Sequence, residues 1–467
     1  MPLSADILLL ACYEMGHQPL SLAWPAAVLR QAGHTVTPVD LSVTALPRKT
    51  ATQARFVAIA APMHTALRLG VRAAEDVRAL NPTAHICFYG LYAWLNADYL
   101  LSTVADSVIS GEYEEPLVAL ANHLKESGHP DSPDSDPVAI PGVSTRAGRA
   151  RPHMSRLSLP VPDRAGLPDL SHYARYLENE RYALSGYVES SRGCLHNCRH
   201  CPIVPVYGGR FFVVPFETVM ADIHQQVAAG AEHITFGDPD FLNGPGHAMK
   251  LARALHAAHP NLTFDFTTKV EHIIQHRALM PELRALGAGF IVSAFESVSD
   301  EVLRRLQKGH TPADMDLALE ILDAARLPVQ PTWLPFTPWT SMDDYLAMLA
   351  WIRERGLAAH VPAVQLSIRL LIPPNSALLA ESPPGALGEL DPARFSYAWR
   401  HPDPRMDELQ ARVTVIAEGA ADGGSLAAFN AIERLAYGMA NRPQPVRGPR
   451  GVRLRPTPPR LTEDWFC

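Results

Sequence analysis

Residues 192–204 read RGCLHNCRHCPIV, and they hold Cys194, Cys198 and Cys201, half of the chain's six cysteines, in a C-x3-C-x2-C pattern. Just before them, GYVES (186–190) has the apolar, β-favouring character of a buried strand. The cysteines therefore sit in a loop that leaves the end of a strand. Three thiolates can each hold one iron of a four-iron cluster, which leaves the fourth iron without a protein ligand. An open coordination position is what a metal site needs to bind and activate a substrate. Zinc is the competing reading, with His196 or His200 as a fourth ligand to close the site. A disulfide is poorly served by an odd count in a reducing compartment. The spacing favours the iron–sulfur reading.

Further strands recur downstream, at HITFG (233–237), LTFDFTT (262–268), FIVSAFE (290–296), VQPTWLP (329–335) and VQLSIRL (364–370). Helical patterns lie between them. FETVMADIHQQVAAG places Val219, Ile223 and Val227 on one face and stops at Gly230. SDEVLRRLQKG offers Ser299 as N-cap, acids in its first turn, Lys308 in its last and Gly309 beyond. Six β/α units in about 190 residues suit an open (β/α)6 partial barrel better than a closed eight-fold one. In such barrels the chemistry sits where strands end.

The first ~125 residues alternate strand and helix as well, with strands at ILLLAC, at the segment after Gly33, and at FVAIAAP, HICFYG and SVISG. Short connections imply a parallel, doubly wound sheet covered on both faces. No G-x-G-x-x-G follows the first strand, so no dinucleotide site is indicated. The stretch GHPDSPDSDPVAIPG then reads as a solvated linker. The expected organisation is an α/β domain over 1–125, a linker over 126–180, the partial barrel over 181–375, and a helical region with a Pro/Arg-rich extended tail over 376–467.

The formal net charge is −7 and no long basic face is visible, which argues against a nucleic-acid partner. No apolar run is long enough to cross a membrane. The first residues lack a signal peptide's basic region and cleavage site, so a cytoplasmic location is expected.

Residues ~185–375 resemble the radical S-adenosylmethionine (SAM) superfamily. The cysteine triad carries the likeness, together with GDPDF (237–241), FIVSAFESVSDEVLRRLQKGHT (290–311) and LSIRLLIPPNSAL (366–378). The family has an aromatic residue before its third cysteine, and here His200 stands there; its planar imidazole can still stack on adenine. The resemblance implies a 4Fe–4S cluster on Cys194, Cys198 and Cys201, and reductive cleavage of SAM to a 5′-deoxyadenosyl radical that attacks a small-molecule or peptide substrate. It also implies an electron donor such as flavodoxin or ferredoxin. Glu296 and Ser297 are expected near the SAM ribose or amino group, Asp238 and Asp240 along the pocket, and Lys269 or Arg369 at the SAM carboxylate. The competing class is a non-catalytic iron–sulfur or zinc scaffold acting as sensor or electron carrier.

Residues 1 to ~120 resemble the cobalamin-binding-like domain that precedes many such barrels, through SLAWPAAVLRQAGHTVTPVDL and DSVISGEYEEPL. The family's D-x-H-x-x-G loop would let a histidine ligate cobalt. Here CYEMGHQPLSL puts Met15 where the aspartate belongs, two residues before His17. Cobalamin bound without a protein ligand, or the fold kept without cobalamin, both stay open. Cys12 and Cys87 read as buried small apolar residues. The chain ends TEDWFC, and the overall pattern resembles the CUAEP/CCAEP-tail radical SAM subgroup, whose tails carry a cysteine followed by selenocysteine or cysteine and then Ala-Glu-Pro. That resemblance implies truncation at a selenocysteine codon and makes Cys467 a candidate reactive thiol at the barrel mouth.

Overall fold

The computed structural model describes residues 6–126, 140–156, 158–381, 387–420, 425–445, 455 and 458–463. Cys467 lies outside the described residues.

The first sheet holds β1 (Asp6–Ala11), β2 (Thr35–Asp40), β3 (Phe56–Ala60), β4 (His85–Tyr89), β5 (Ser107–Ile109) and β6 (Val143–Ser144), in the order β2-β1-β3-β4-β5-β6. β1 to β5 pair in parallel, and β6 adds antiparallel to β5. Alternate residues feed two cores. Leu8, Leu10, Val57, Ile59, Ile86 and Phe88 face one side, and Ile7, Leu9, Phe56, Ala58, Cys87 and Tyr89 face the other. Burial on both faces is why these strands read as unbroken apolar runs. Strand order reverses between β1 and β3, and the crevice at their carboxyl ends is where sheets of this type take ligands.

The second sheet is a curled half-barrel of seven strands, in the order β14-β13-β12-β11-β8-β7-β17. Its members are β7 (Arg175–Glu178), β8 (Arg181–Val188), β11 (His233–Phe236), β12 (Thr263–Thr267), β13 (Ala288–Glu296), β14 (Val329–Trp333) and β17 (Arg460–Leu461). A two-stranded ribbon, β9 (Ser191–Gly193) with β10 (Phe211–Val213), follows β8, and a second, β15 (Leu390–Asp391) with β16 (Ser396–Tyr397), follows the barrel. β8, β11, β12, β13 and β14 run parallel.

Three expectations need correction. VQLSIRL is not a sixth barrel strand. Ala363–Leu366 forms a 3-10 turn, and only Arg369 bridges to Phe336. Pro362 before it and Pro373-Pro374 after it leave too short a run for a ladder. The stretch expected as a linker also does structural work: it supplies β6, β7 and a buried Arg164–Asp222 ion pair at 2.8 Å. Its strands span two and four residues, too few for a period-two signal. Finally, Ser299 sits at the N-cap of helix Asp300–Leu306, but its side chain makes no capping bond there. That helix ends at Leu306, so Lys308 falls outside it and turns inward.

Helix Leu20–Gln31 begins at Pro19, which offers no side-chain cap. Glu14, from the loop after β1, takes over: it accepts from Leu20 N at 3.0 Å and from Ser21 Oγ at 2.5 Å. Burial pushes its carboxyl up to about 7, against the hydrogen bonds from Ser21 that pull it down. A raised acid takes up a proton on folding, so its contribution is fully present below the unfolded carboxylate value and is lost as pH rises through about 7. Glu14→Gln keeps an acceptor and removes the titration. Relative to the parent it should melt higher at pH 8 than at pH 5, by up to ~3 kcal/mol in stability. An unchanged difference across that range would show that Glu14 does not titrate there.

Candidate functional site

β8 ends at Val188, and the chain enters β9 and then the cysteine loop. Residues 194–210 are an excursion between β9 and β10, closed where Cys194 N donates to Arg210 O at 3.0 Å. YGGR (207–210) turns the chain back, with Gly208 at φ 57° and Gly209 at φ 78°, conformations that favour glycine. Cys201 N donates to Cys198 O at 3.0 Å, which folds the second and third cysteines into one turn. Burial pushes the Cys201 thiol up to about 12; the backbone N–H of Ile203 acts against this, the neighbouring Cys198 and Cys194 add to it, and Lys308 draws it down. Burial raises Cys194 too, while the N–H of His196 and Asn243 act against it. The three thiols are thus one electrostatic group. Cys87 is buried in β4 and Cys12 just after β1, and burial pushes both up to about 12.

On the side of Cys198 and Cys201, Lys308 Nζ lies 3.1 Å from Glu296 Oε1, and His200 Nε2 lies 3.3 Å from the same oxygen. Glu296 ends β13 in a left-handed conformation, φ 65°, which turns its carboxylate toward the loop. Burial alone would raise its carboxyl, but Lys308 and His200 hold it well below the usual carboxylate range. The residue that replaces the family's aromatic is therefore tethered to β13 through Glu296. Ser297 Oγ accepts from Ser299 N at 3.1 Å and shapes the turn that follows.

On the side of Cys194, Lys269 Nζ lies 3.1 Å from His196 Nδ1 and 3.3 Å from Glu271. Asp240 accepts from Thr268 Oγ1 and from the backbone of Lys269 and Leu242, so it ties the ends of β11 and β12 together. His196, Asp240 and His272 bring ligand-type atoms within 4.8 Å of one another. The ammonium of Lys269 has no lone pair to offer, so His196 Nδ1 must accept from it and Nε2 carries the ring proton, facing Asp240 at 3.7 Å. In that tautomer the group is a polar clamp on the cysteine loop. Asp238 accepts from Ser190 N and Oγ and from Ser191 Oγ, and fixes the exit of β8. Arg369 is taken up elsewhere: it donates to Asp407 and to Trp399 O, each at 2.7 Å, and stacks on the Trp399 ring.

Sequence reading missed the group that carries the loop. Arg192, two residues before Cys194, is buried and donates to Glu112 at 2.8 Å, to Glu114 at 2.8 and 3.0 Å, and to Glu189 at 3.1 Å. Its guanidinium lies over Trp24 and Tyr113, and Tyr207 OH donates to Glu112. The first sheet's β5 exit thereby grips the root of the cysteine loop. GEYEE (111–115) had entered only within DSVISGEYEEPL, for its likeness to the cobalamin-binding-like domain. His272 carried no local signal, His196 was read only as a possible fourth zinc ligand, and Lys308 only as a helix-ending cation.

Residues 188–358 match the family model described as the radical SAM superfamily. The chain is 23% identical over 300 residues to the hopanoid C-3 methylase of Methylococcus capsulatus, covering 62% of this chain and 56% of that protein. It spans about half the length of the curated relatives it matches. Among solved structures, the cobalamin-dependent SAM radical enzyme OxsB, with aqua-cobalamin and SAM bound, superposes with a TM-score of 0.68 at 14% identity, over 94% of this chain and 71% of that one. The radical SAM methyltransferase TsrM of Kitasatospora setae, with cobalamin and a [4Fe-4S] cluster bound, gives 0.65 at 14% identity, over 94% and 100%. At these identities the structures speak for the fold.

Proposed function

We propose, on the premise that residues 188–358 are a radical SAM domain, that the chain is an enzyme that holds a 4Fe–4S cluster on Cys194, Cys198 and Cys201 and cleaves SAM to start radical chemistry on a small-molecule or peptide substrate. The observation that carries this reading is the gathering of three thiols on one loop at the carboxyl end of the first parallel barrel strand. The donor set fits the cluster: three soft sulfur ligands, backbone N–H groups directed at two of them, and the Lys308 cation beside Cys198 and Cys201. The described residues bring no fourth thiol to the loop. When bound, the cluster supplies the electron that breaks the SAM sulfonium bond.

The chain's own residues position and shield. Arg192 fixes the loop's root, Asp238 and Asp240 fix the strand ends around it, and Lys269 and His196 close one flank. Glu296 and Ser297 line the other flank. Both contacts of Glu296 fall on Oε1, and Oε2 takes no hydrogen bond from the described residues, so Oε2 is offered to a ribose hydroxyl or an amino group of SAM. Arg369, held by Asp407 and Trp399, braces the C-terminal segment in this reading and leaves the SAM carboxylate to Lys269. No helix among the described residues is long and apolar enough to cross a membrane. The reading includes a cytoplasmic home and a small reductant protein such as flavodoxin or ferredoxin.

Anaerobically reconstituted protein, reduced with dithionite and given SAM, should form 5′-deoxyadenosine. Stoichiometric zinc with no iron or sulfide would leave only a metal-binding scaffold. Glu296→Gln should keep its iron and lose ~1.5–3 kcal/mol of SAM binding, roughly ten- to hundred-fold in affinity. Undiminished affinity would return Glu296 to bracing Lys308 and His200.

A further inference from the structure

The first sheet has the strand order 2-1-3-4-5, and its ligand crevice is the space outside the carboxyl ends of β1, β3 and β4. In this chain that space is filled by the chain itself. Hairpin β15–β16 leaves the barrel, docked by Tyr397 N on Ile372 O at 2.8 Å, and sends its tip onto the first sheet. Phe395, at the tip, is 4% exposed and joins the core that holds Met63, Tyr92, Ile59 and Phe88. Its ring meets Tyr99 edge-on at 5.1 Å and His64 at 6.5 Å, and His64 Nε2 lies 2.5 Å from Arg394 O. Met63 and His64 follow β3, and Tyr92 follows β4. Phe395 holds φ 51°, a conformation that a bulky residue adopts only where its surroundings insist on it. The hairpin is built to seat there.

The loop after β1 is closed as well. His17 is buried, and its ring stacks on Tyr187 of β8 with centroids 4.4 Å apart. Gly16 O accepts from Ala174 N at 2.8 Å, and a Cβ on Gly16 would come within 2.8 Å of Glu463. Tyr13 OH donates to Glu463 at 2.6 Å. Two C-terminal segments thus reach the switch point, 390–397 at the loops after β3 and β4 and 458–463 at the loop after β1. The residues present do not fit a corrin with a nucleotide tail: among the described residues, Phe395 stands in the crevice at the ends of β3 and β4, and the His17 ring is stacked against Tyr187.

We propose that the β15–β16 hairpin is a resident plug of the Rossmann-like domain, with Phe395 seated where a ligand would bind, and that this chain does not take cobalamin. The domain then serves as a rigid brace for the cysteine loop, through Glu112 and Glu114 on Arg192. The geometry of the plug is independent of the function proposed above; its consequence, SAM cleavage with no corrin present, rests on that reading.

The full-length, cluster-loaded protein should be incubated anaerobically with hydroxocobalamin, desalted, and analysed for cobalt and corrin absorption. No cobalt above background is expected. Stoichiometric cobalt overturns the proposal, as does 5′-deoxyadenosine formation that requires added cobalamin. Phe395→Ala should speed amide exchange in residues 61–67 and 91–99 by ~10-fold or more, because the ring that covers them is gone. Unchanged exchange there overturns the plug. Absence of 5′-deoxyadenosine with and without cobalamin would instead fail the enzymatic reading, and the cobalt and exchange results would still decide the plug.

Discussion

Cys198→Ala will emerge from anaerobic reconstitution without its cluster: iron and sulfide will fall from about four per chain to background, and the broad charge-transfer absorption will be lost. SAM will stay intact in the presence of dithionite, at the level of a protein-free control. Cys198 is the most buried of the three cysteines and sits between the other two in the turn that Cys201 N closes on Cys198 O. Two remaining thiols cannot hold three irons, so the effect is near-total loss, larger than that of any flanking residue. The apo-protein should be almost untouched, because Ala replaces one small side chain in a loop held by Arg210 O, Asn243 and Arg192. A melting temperature like the parent's in the apo state, with iron lost, separates ligand loss from misfolding. A Cys198→Ala protein that keeps four irons and cleaves SAM would end the assignment.

That loop was legible because its signal is local. Three sulfurs at fixed spacing after an apolar strand need no partner elsewhere in the sequence to be recognised. The strands of the first sheet were legible for a similar reason: Ile7 to Leu10, Phe56 to Ala60 and His85 to Tyr89 are buried on both faces and write their burial directly into composition. What stayed hidden is what pairing over distance decides. Lys308 looks like a helix-ending cation beside Gly309, yet it is Glu296, twelve residues earlier, that draws it inward. Arg369 looks available to a carboxylate ligand, and Asp407 and Trp399 claim it from a later helix and loop. β17 has two residues and exists only because β7 presents an edge. Phe395 stands between Arg394 and Ser396, and nothing near it says that its seat is three hundred residues upstream. Domain seams are the least readable part of a chain, since both halves of each contact look like ordinary surface.

The seam also sets the second large effect. Arg192→Ala will melt at markedly lower temperature than the parent, because it leaves Glu112 and Glu114 buried without their counter-charge. Breaking a buried pair by removing one partner costs ~3–5 kcal/mol, mostly as the penalty of the stranded charge. Here two carboxylates share the loss, and Glu189 adds a third contact. The planar fork, which also stacks on Trp24 and Tyr113, cannot be replaced by an ammonium, so Arg192→Lys should recover only part of the stability. If stranded charge is the cause, the triple variant Arg192→Met, Glu112→Gln, Glu114→Gln should melt closer to the parent than Arg192→Ala does. The functional consequence follows from register: Arg192 pairs with Phe212 across the β9–β10 ribbon, two residues before Cys194, so loosening it frees the root of the cysteine loop. The single variant should therefore load iron less completely, while the triple variant, with two of the three stranded carboxylates neutralised, should load it better. Thermal unfolding of the apo-proteins and iron content after reconstitution check both arms. An Arg192→Ala protein within ~1 kcal/mol of the parent would show that water reaches this cluster and that the seam does not depend on its one cation.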